Sequence, residues 1–228
     1  MRRVVAVLLL AVLGVAVCGR AQDPLKTLPH NYWMEFENSS VRVVHVHYGA
    51  GERVPQHDHP KAPTLYVYLS DAGPVRFVHT GDDDFSIVRK PVQTGQLRLN
   101  AGRLETHRVD SLSKTPSDFL RVEFKTLPLH IDSMHARVPA AGEGFWKAAQ
   151  PEKVEFEDAH LRIVREGVQP GKSAVFESHA AHVVWLAVRV EGAQCAGKAA
   201  HTGEGWDAVK LGVQAGTKRV EILRVELK

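Results

Sequence analysis

Along most of this chain apolar and polar residues alternate in short runs, each bounded by Gly, Pro, Asp or Asn. Alternation with a period of two is the mark of a half-buried strand. It predicts strands at Val41 to Tyr48, Thr64 to Leu69, Val75 to His79, Ser86 to Val88 and Leu120 to Lys125, all rich in β-branched or aromatic residues. A period of 3.6 is scarce, and its best candidate is a turn or two near Phe145 to Ala149. Strands this closely spaced predict an all-β sandwich or barrel.

The pattern occurs twice. Phe36-Glu37-Asn38 and Phe156-Glu157-Asp158 match at an offset of 120, as do Val41-Arg42-Val43-Val44 and Leu161-Arg162-Ile163-Val164. His79-Thr80-Gly81 matches His201-Thr202-Gly203, and Val92-Gln93-Thr94-Gly95 matches Val213-Gln214-Ala215-Gly216. Both copies end alike, at Leu120 to Lys125 and at Leu223 to Lys228, but there the offset is 103. Two copies of one unit follow, the second about 18 residues shorter, with the loss expected between Gly216 and Leu223. That gap removes the counterpart of Gln96 to about Ser113. Residues 22–125 form the first unit, 126–153 a Pro/Gly-rich linker and 154–228 the second unit.

The start of the chain changes the charge balance. Met1-Arg2-Arg3, the apolar run Val4 to Val17, and small residues at Gly19 and Ala21 read as a signal peptide over residues 1–21. The run is too short to span a bilayer, which takes roughly 20 residues. Cleavage after Ala21 takes three of the 29 basic residues and leaves 26 against 26 acidic ones. The expectation is a periplasmic or secreted protein with no nucleic-acid or membrane partner. Cys18 leaves with the leader, so Cys195 has no partner for an intrachain disulfide. Lipid attachment at Cys18 is the weaker alternative, because Val17 is larger than such cleavage prefers.

The unusual count is 13 His. In Gly51 to Pro60, His57 and His59 stand two apart, so a strand points both to one face and Asp58 to the other. Two imidazoles on a barrel-facing surface suit a transition metal, and His107, after the Gly102 turn, is the third candidate. His45 and His47 have the same spacing without the turns and read as an exposed or packed strand. Glu105 shares the face of His107 and is a candidate fourth ligand or catalytic base. Thr64, Tyr66 and Tyr68 alternate on one strand and are candidates for lining a ligand cavity, or else for packing the barrel.

These motifs resemble the cupin superfamily. Gly51, His57 and His59 fit its first motif, and Gly95, Gly102 and His107 fit its second, with Asn100 or Ala101 where Pro is usual. Thr64 stands where the family's first motif has a Glu. The resemblance implies tandem jelly-roll barrels, the first holding Fe, Mn or Zn on His57, His59 and His107. It leaves the reaction open, because the fold hosts many functions. In the second copy Glu177-Ser178-His179 is read at the His-pair position, His179 and His182 as loop or surface residues, and Trp185 and Trp206 as packing residues. A shortened second barrel has edges to cover against the first copy or another subunit, so a homo-oligomer is one expectation. The expected function is a metal-dependent enzyme, of dioxygenase or isomerase type, on a small oxygenated molecule. The alternatives are a non-catalytic protein that binds a small ligand or metal, and a structural relic.

Overall fold

The computed structural model describes residues 23–80 and 84–228, and the expected leader lies outside the described residues. After a short helix, α1 (Pro24–Thr27), come β1 (Tyr32–Glu37), β2 (Val41–Tyr48), β3 (Arg53–His59), β4 (Thr64–Tyr68) and β5 (Val75–His79). β6 (Phe85–Arg89), β7 (Leu97–Asn100), β8 (Glu105–Ser111), β9 (Ser117–Phe124) and β10 (Arg137–Val138) follow. They form two antiparallel sheets, β1-β2-β9-β4-β7-β10 and β3-β8-β5-β6, the two walls of a jelly-roll barrel.

The pattern recurs in β11 (Glu152–Glu157), β12 (Leu161–Val168), β13 (Ser173–Glu177), β14 (His182–Arg189) and β15 (Gln194–Cys195). β16 (Lys198–Ala199), β17 (Gly205–Trp206), β18 (Lys210–Gln214) and β19 (Val220–Leu227) complete it. Their sheets are β11-β12-β19-β14-β17 and β13-β18-β15-β16. The helical turn expected near Phe145 is a single 3-10 turn, Phe145–Lys147.

Period-two alternation gives each large sheet two apolar faces. In β2, Val44, Val46 and Tyr48 face the first barrel's interior with Val54, Tyr66, Val109 and Phe119. Val41 and Val43 face outward, with Leu65, Val67, Leu120, Val122 and Phe124, and there they meet Leu161, Ile163, Val184, Leu186, Leu223, Val225 and Leu227 of the second barrel. The two large sheets therefore pack face to face, as aligned sheets do. Each fully buried Leu or Val in that layer contributes roughly 1.5–3 kcal/mol.

Strand pairing corrects the expected position of the shortening. β18 pairs with β13 as β8 pairs with β3, so the third-His strand has a counterpart and is not deleted. The residues are lost earlier. The β5–β6 hairpin shrinks to two-residue strands at β15 and β16, and β7 to the two-residue β17. The matches of His201-Thr202-Gly203 and Val213 to Gly216 with the first copy are thus not structural: Val213 lies in β18, whereas Val92 only makes an isolated bridge to Ala72.

A second correction concerns which residues face inward. The β3–β8 pairing slips by one residue between Val54 and His57, a bulge at Pro55-Gln56, a position where Pro is tolerated in sheets. The β13–β18 pairing has no slip. The inward positions matching His57, His59 and His107 are therefore Phe176, Ser178 and Leu211, all buried, whereas Glu177 and His179 point to solvent. Trp185 is fully buried, stacks on Phe176 and donates Nε1–H to Ala208 O at 2.6 Å. It fills the second barrel's own interior, with Trp206 packed beside it, and does not pack on the first barrel. Cys195 lies in the same core, where burial pushes its thiol up to about 12, so it is unreactive at neutral pH.

Candidate metal centre

His57, His59 and His107 converge inside the first barrel. All three are buried, and one ring nitrogen from each lies within 4.8 Å of the others. The Pro55-Gln56 bulge turns His57 and His59 inward, and the register that places His57 opposite His107 supplies the third ring. Ring centroids are 4.8 to 5.1 Å apart across the trio. Asp58 points the other way and accepts a hydrogen bond from Thr106.

Burial keeps these rings neutral. The loss of hydration holds His57 below its ordinary value, and holds His59 and His107 well below theirs; the charge of Arg121 adds to this at all three, and the Pro55 hydrogen bond at His57 and the Glu105 carboxylate at His57 and His107 oppose it without prevailing. A neutral imidazole is the form that ligates a metal. His57 directs Nδ1 to Pro55 O at 2.7 Å, which places the proton there and leaves Nε2 with a lone pair. Neither nitrogen of His107 has a hydrogen-bond partner among the described residues. Buried polar atoms are seldom left so, and a cation on this trio would satisfy the one that carries the lone pair. The residues fit a divalent transition metal held by three nitrogens with further positions open.

Glu105 is buried and faces inward on the same strand as His107, but its partner is Arg121, 2.8 Å away. Burial pushes its carboxyl up, and the charge of Arg121, with smaller help from His107, overrides that and holds it at about 2. A carboxylate so acidic is a weak proton acceptor, and it stands outside the cluster of candidate ligands. Tyr66 and Tyr68 line the cavity beside the trio. Thr64 is buried, donates its hydroxyl to Ala62 O at 2.9 Å and is not part of that lining.

Long-range pairing brings in residues that local spacing does not mark. Tyr32 Oη is 2.7 Å from His57 Nε2 and 3.0 Å from Tyr48 Oη. Arg121 holds Glu105, Glu123 and the Tyr66 hydroxyl together. His79 sits opposite His107 in the β5–β8 pairing and lines the cavity, with Arg89 and Arg98. The one sequence signal was Arg121 itself: Leu120-Arg121-Val122-Glu123 puts two charges at alternate positions of an otherwise apolar strand, and Leu223-Arg224-Val225-Glu226 repeats it. His45, read as exposed or packed, is buried on the outer face between Glu35, at 3.0 Å, and Asp118, at 3.2 Å.

Among solved structures, the chain is similar to the bacterial pirin YhhW from Escherichia coli in complex with nickel(II), with 16% identity, a TM-score of 0.58, and coverage of 86% of this chain and 90% of that one. It is similar to the protein YhaK from Escherichia coli at 12% identity and TM-score 0.55, covering 91% and 98%. AerE from Microcystis aeruginosa matches at 10% identity and TM-score 0.55, covering 87% and 97%. No protein-family model and no curated protein matches the sequence. At these identities the likeness concerns the fold, and the chain has the two-barrel cupin fold.

Proposed function

We propose that this protein is a metal-dependent enzyme of dioxygenase or isomerase type, acting on a small oxygenated molecule outside the cytoplasm. The observation that carries this reading is the convergence of three buried, neutral imidazoles, one with both nitrogens unpartnered, beside a cavity in the first barrel. The nickel(II) complex of the similarly folded pirin YhhW supports a metal in such a barrel. Bound here, Fe, Mn or Zn supplies a Lewis-acidic centre with open positions for an oxygen ligand. The chain's own residues do the rest. His57 is oriented by Pro55 O, Arg121 keeps Glu105 charged, and Tyr32, Tyr48 and Phe119 keep bulk water from that end of the cavity. The second barrel supports the first through the shared apolar layer.

The Arg2-Arg3 start and the apolar Val4 to Val17 run support export, and a native N-terminus near Gln22 by mass spectrometry tests that part. For the enzyme, elemental analysis of untagged protein gives close to one divalent metal per chain, lost in His57→Ala, and oxygen uptake or product formation appears over a panel of enols, phenols, sugars and small carboxylic acids. A second reading, a non-catalytic binder of a small ligand or metal, is favoured by the tying of Glu105 to Arg121, which leaves that carboxylate a poor base. Retained metal without turnover across the panel selects it.

A further inference from the structure

Five arginines have an Nε that is buried and lacks a hydrogen-bond partner among the described residues: Arg89, Arg98, Arg108, Arg162 and Arg224. Three of these have a carboxylate within 4.0 Å, at Asp110, at Glu157 and Glu226, and at Glu152, Glu166 and Glu226 respectively. Arg89 and Arg98 have none among the described residues, and both line the cavity that His59 and His107 also line. The third arginine of that cavity, Arg121, is saturated by Glu105 and Glu123. Glu105, the only carboxylate in the lining among the described residues, is thereby spoken for.

Two half-buried guanidinium groups facing one space repel each other, and burial together with the charge of Arg98 depresses Arg89 below its ordinary value. The arrangement is held from behind by aromatic faces. Arg98 lies over the Tyr66 ring at 3.9 Å and Arg89 over Phe77 at 5.1 Å. Such stacking fixes the plane of a guanidinium; Arg98 also donates to Tyr68, and the buried Nε–H of each arginine is left for an anion. A divalent cation on the trio adds to the positive field. Positive charge in a walled cavity, with no carboxylate partner among the described residues, selects an anionic ligand.

The cavity is about 40 Å3, space for about three waters at 10–15 Å3 of such volume each. That bounds the guest to a few heavy atoms. We propose that Arg89 and Arg98 form a carboxylate clamp in the first barrel's cavity, and that the molecule taken there is a small acid of two or three carbons. This rests on the reading of that barrel as the working site and names its substrate class.

The test uses the full chain stripped of metal, so that the clamp and the metal are read apart. Glycolate and its neutral amide, glycolamide, are titrated by calorimetry. Glycolate binds at least 10-fold tighter than the amide. Arg89→Gln and Arg98→Gln each reduce glycolate binding at least 10-fold and leave the amide unchanged, and Arg98→Lys recovers part of the loss. Equal binding of the two ligands to the wild-type protein overturns the clamp without any variant having to fold. So does inorganic phosphate binding as tightly as glycolate, or glycolate binding unchanged in both Gln variants. Metal content is measured separately. Glycolate discrimination in a protein that takes no metal overturns the metal reading alone, and metal uptake without discrimination overturns the clamp alone.

Discussion

Tyr32 donates its hydroxyl proton to Nε2 of His57, 2.7 Å away, the one ring nitrogen that His57 has left after Pro55 O takes the other. A metal on the trio needs the same lone pair, so Tyr32 competes with it. A hydrogen bond of this kind contributes about 1 kcal/mol net. Tyr32→Phe is expected to tighten metal binding roughly 5-fold, measured by competition with a chelator of known affinity. A weakened affinity in this variant would show that Tyr32 supports the metal rather than opposing it.

The second barrel suggests what the first would be without its chemistry. Leu211 takes the inward place that His107 has in the first. Since His107 is buried with both nitrogens unpartnered, His107→Leu is expected to raise the stability of the metal-free protein by about 1–2 kcal/mol. It is expected to abolish metal binding at the same time. Thermal melting in chelator and metal content after reconstitution check the two halves. Loss of stability would mean that the cavity cannot accept the branched side chain.

Arg121 is fully enclosed between Glu105, Glu123 and the Tyr66 hydroxyl. Removing one partner of a buried ion cluster leaves uncompensated charge and costs about 3–5 kcal/mol. Arg121→Met is expected to fall in that range by urea denaturation. The double variant Arg121→Met/Glu105→Gln is expected to recover part of the loss. No recovery would place the energy in packing and not in charge.

Glu35 and His45 give the fold a pH dependence away from the metal. Burial pushes Glu35 up, but hydrogen bonds from His45, His201 and Trp33 outweigh it and hold the carboxyl at about 2. Burial pulls His45 down, and the hydrogen bonds to Asp118 and Glu35 outweigh it and raise it. The stability from Glu35 is complete above its unfolded value, about 4.5, and is lost as pH falls toward 2. The stability from His45 is complete below about 6.5 and is lost as pH rises through its raised value. The difference in stability between the wild type and Glu35→Gln is therefore expected to peak between about pH 4.5 and 6.5, at about 2–3 kcal/mol, and to shrink on both sides. Melting curves across that range measure it, and a flat difference would remove the ion pairs as its source.

Sequence alone determined the strands, the duplication and the three histidines, because these rest on local chemistry. A strand's period of two makes same-face pairs such as His57 and His59 visible from spacing, and Gly51 and Gly102 take the positive φ that their turns require. The alternation also carried Tyr66 and Tyr68 to the cavity wall. Only the tertiary structure decided what meets the trio. Tyr32, His79, Arg89, Arg98 and Arg121 arrive from five other strands, and Glu105, adjacent in sequence terms, is turned to Arg121 instead. The same holds for the second copy, where one bulge residue present at Pro55-Gln56 and absent from β13 exchanges the two faces of a strand. Spacing therefore pointed to Glu177 and His179 when Phe176 and Ser178 face inward. Register is fixed by pairing between distant segments, and a slip of one residue inverts every side chain beyond it.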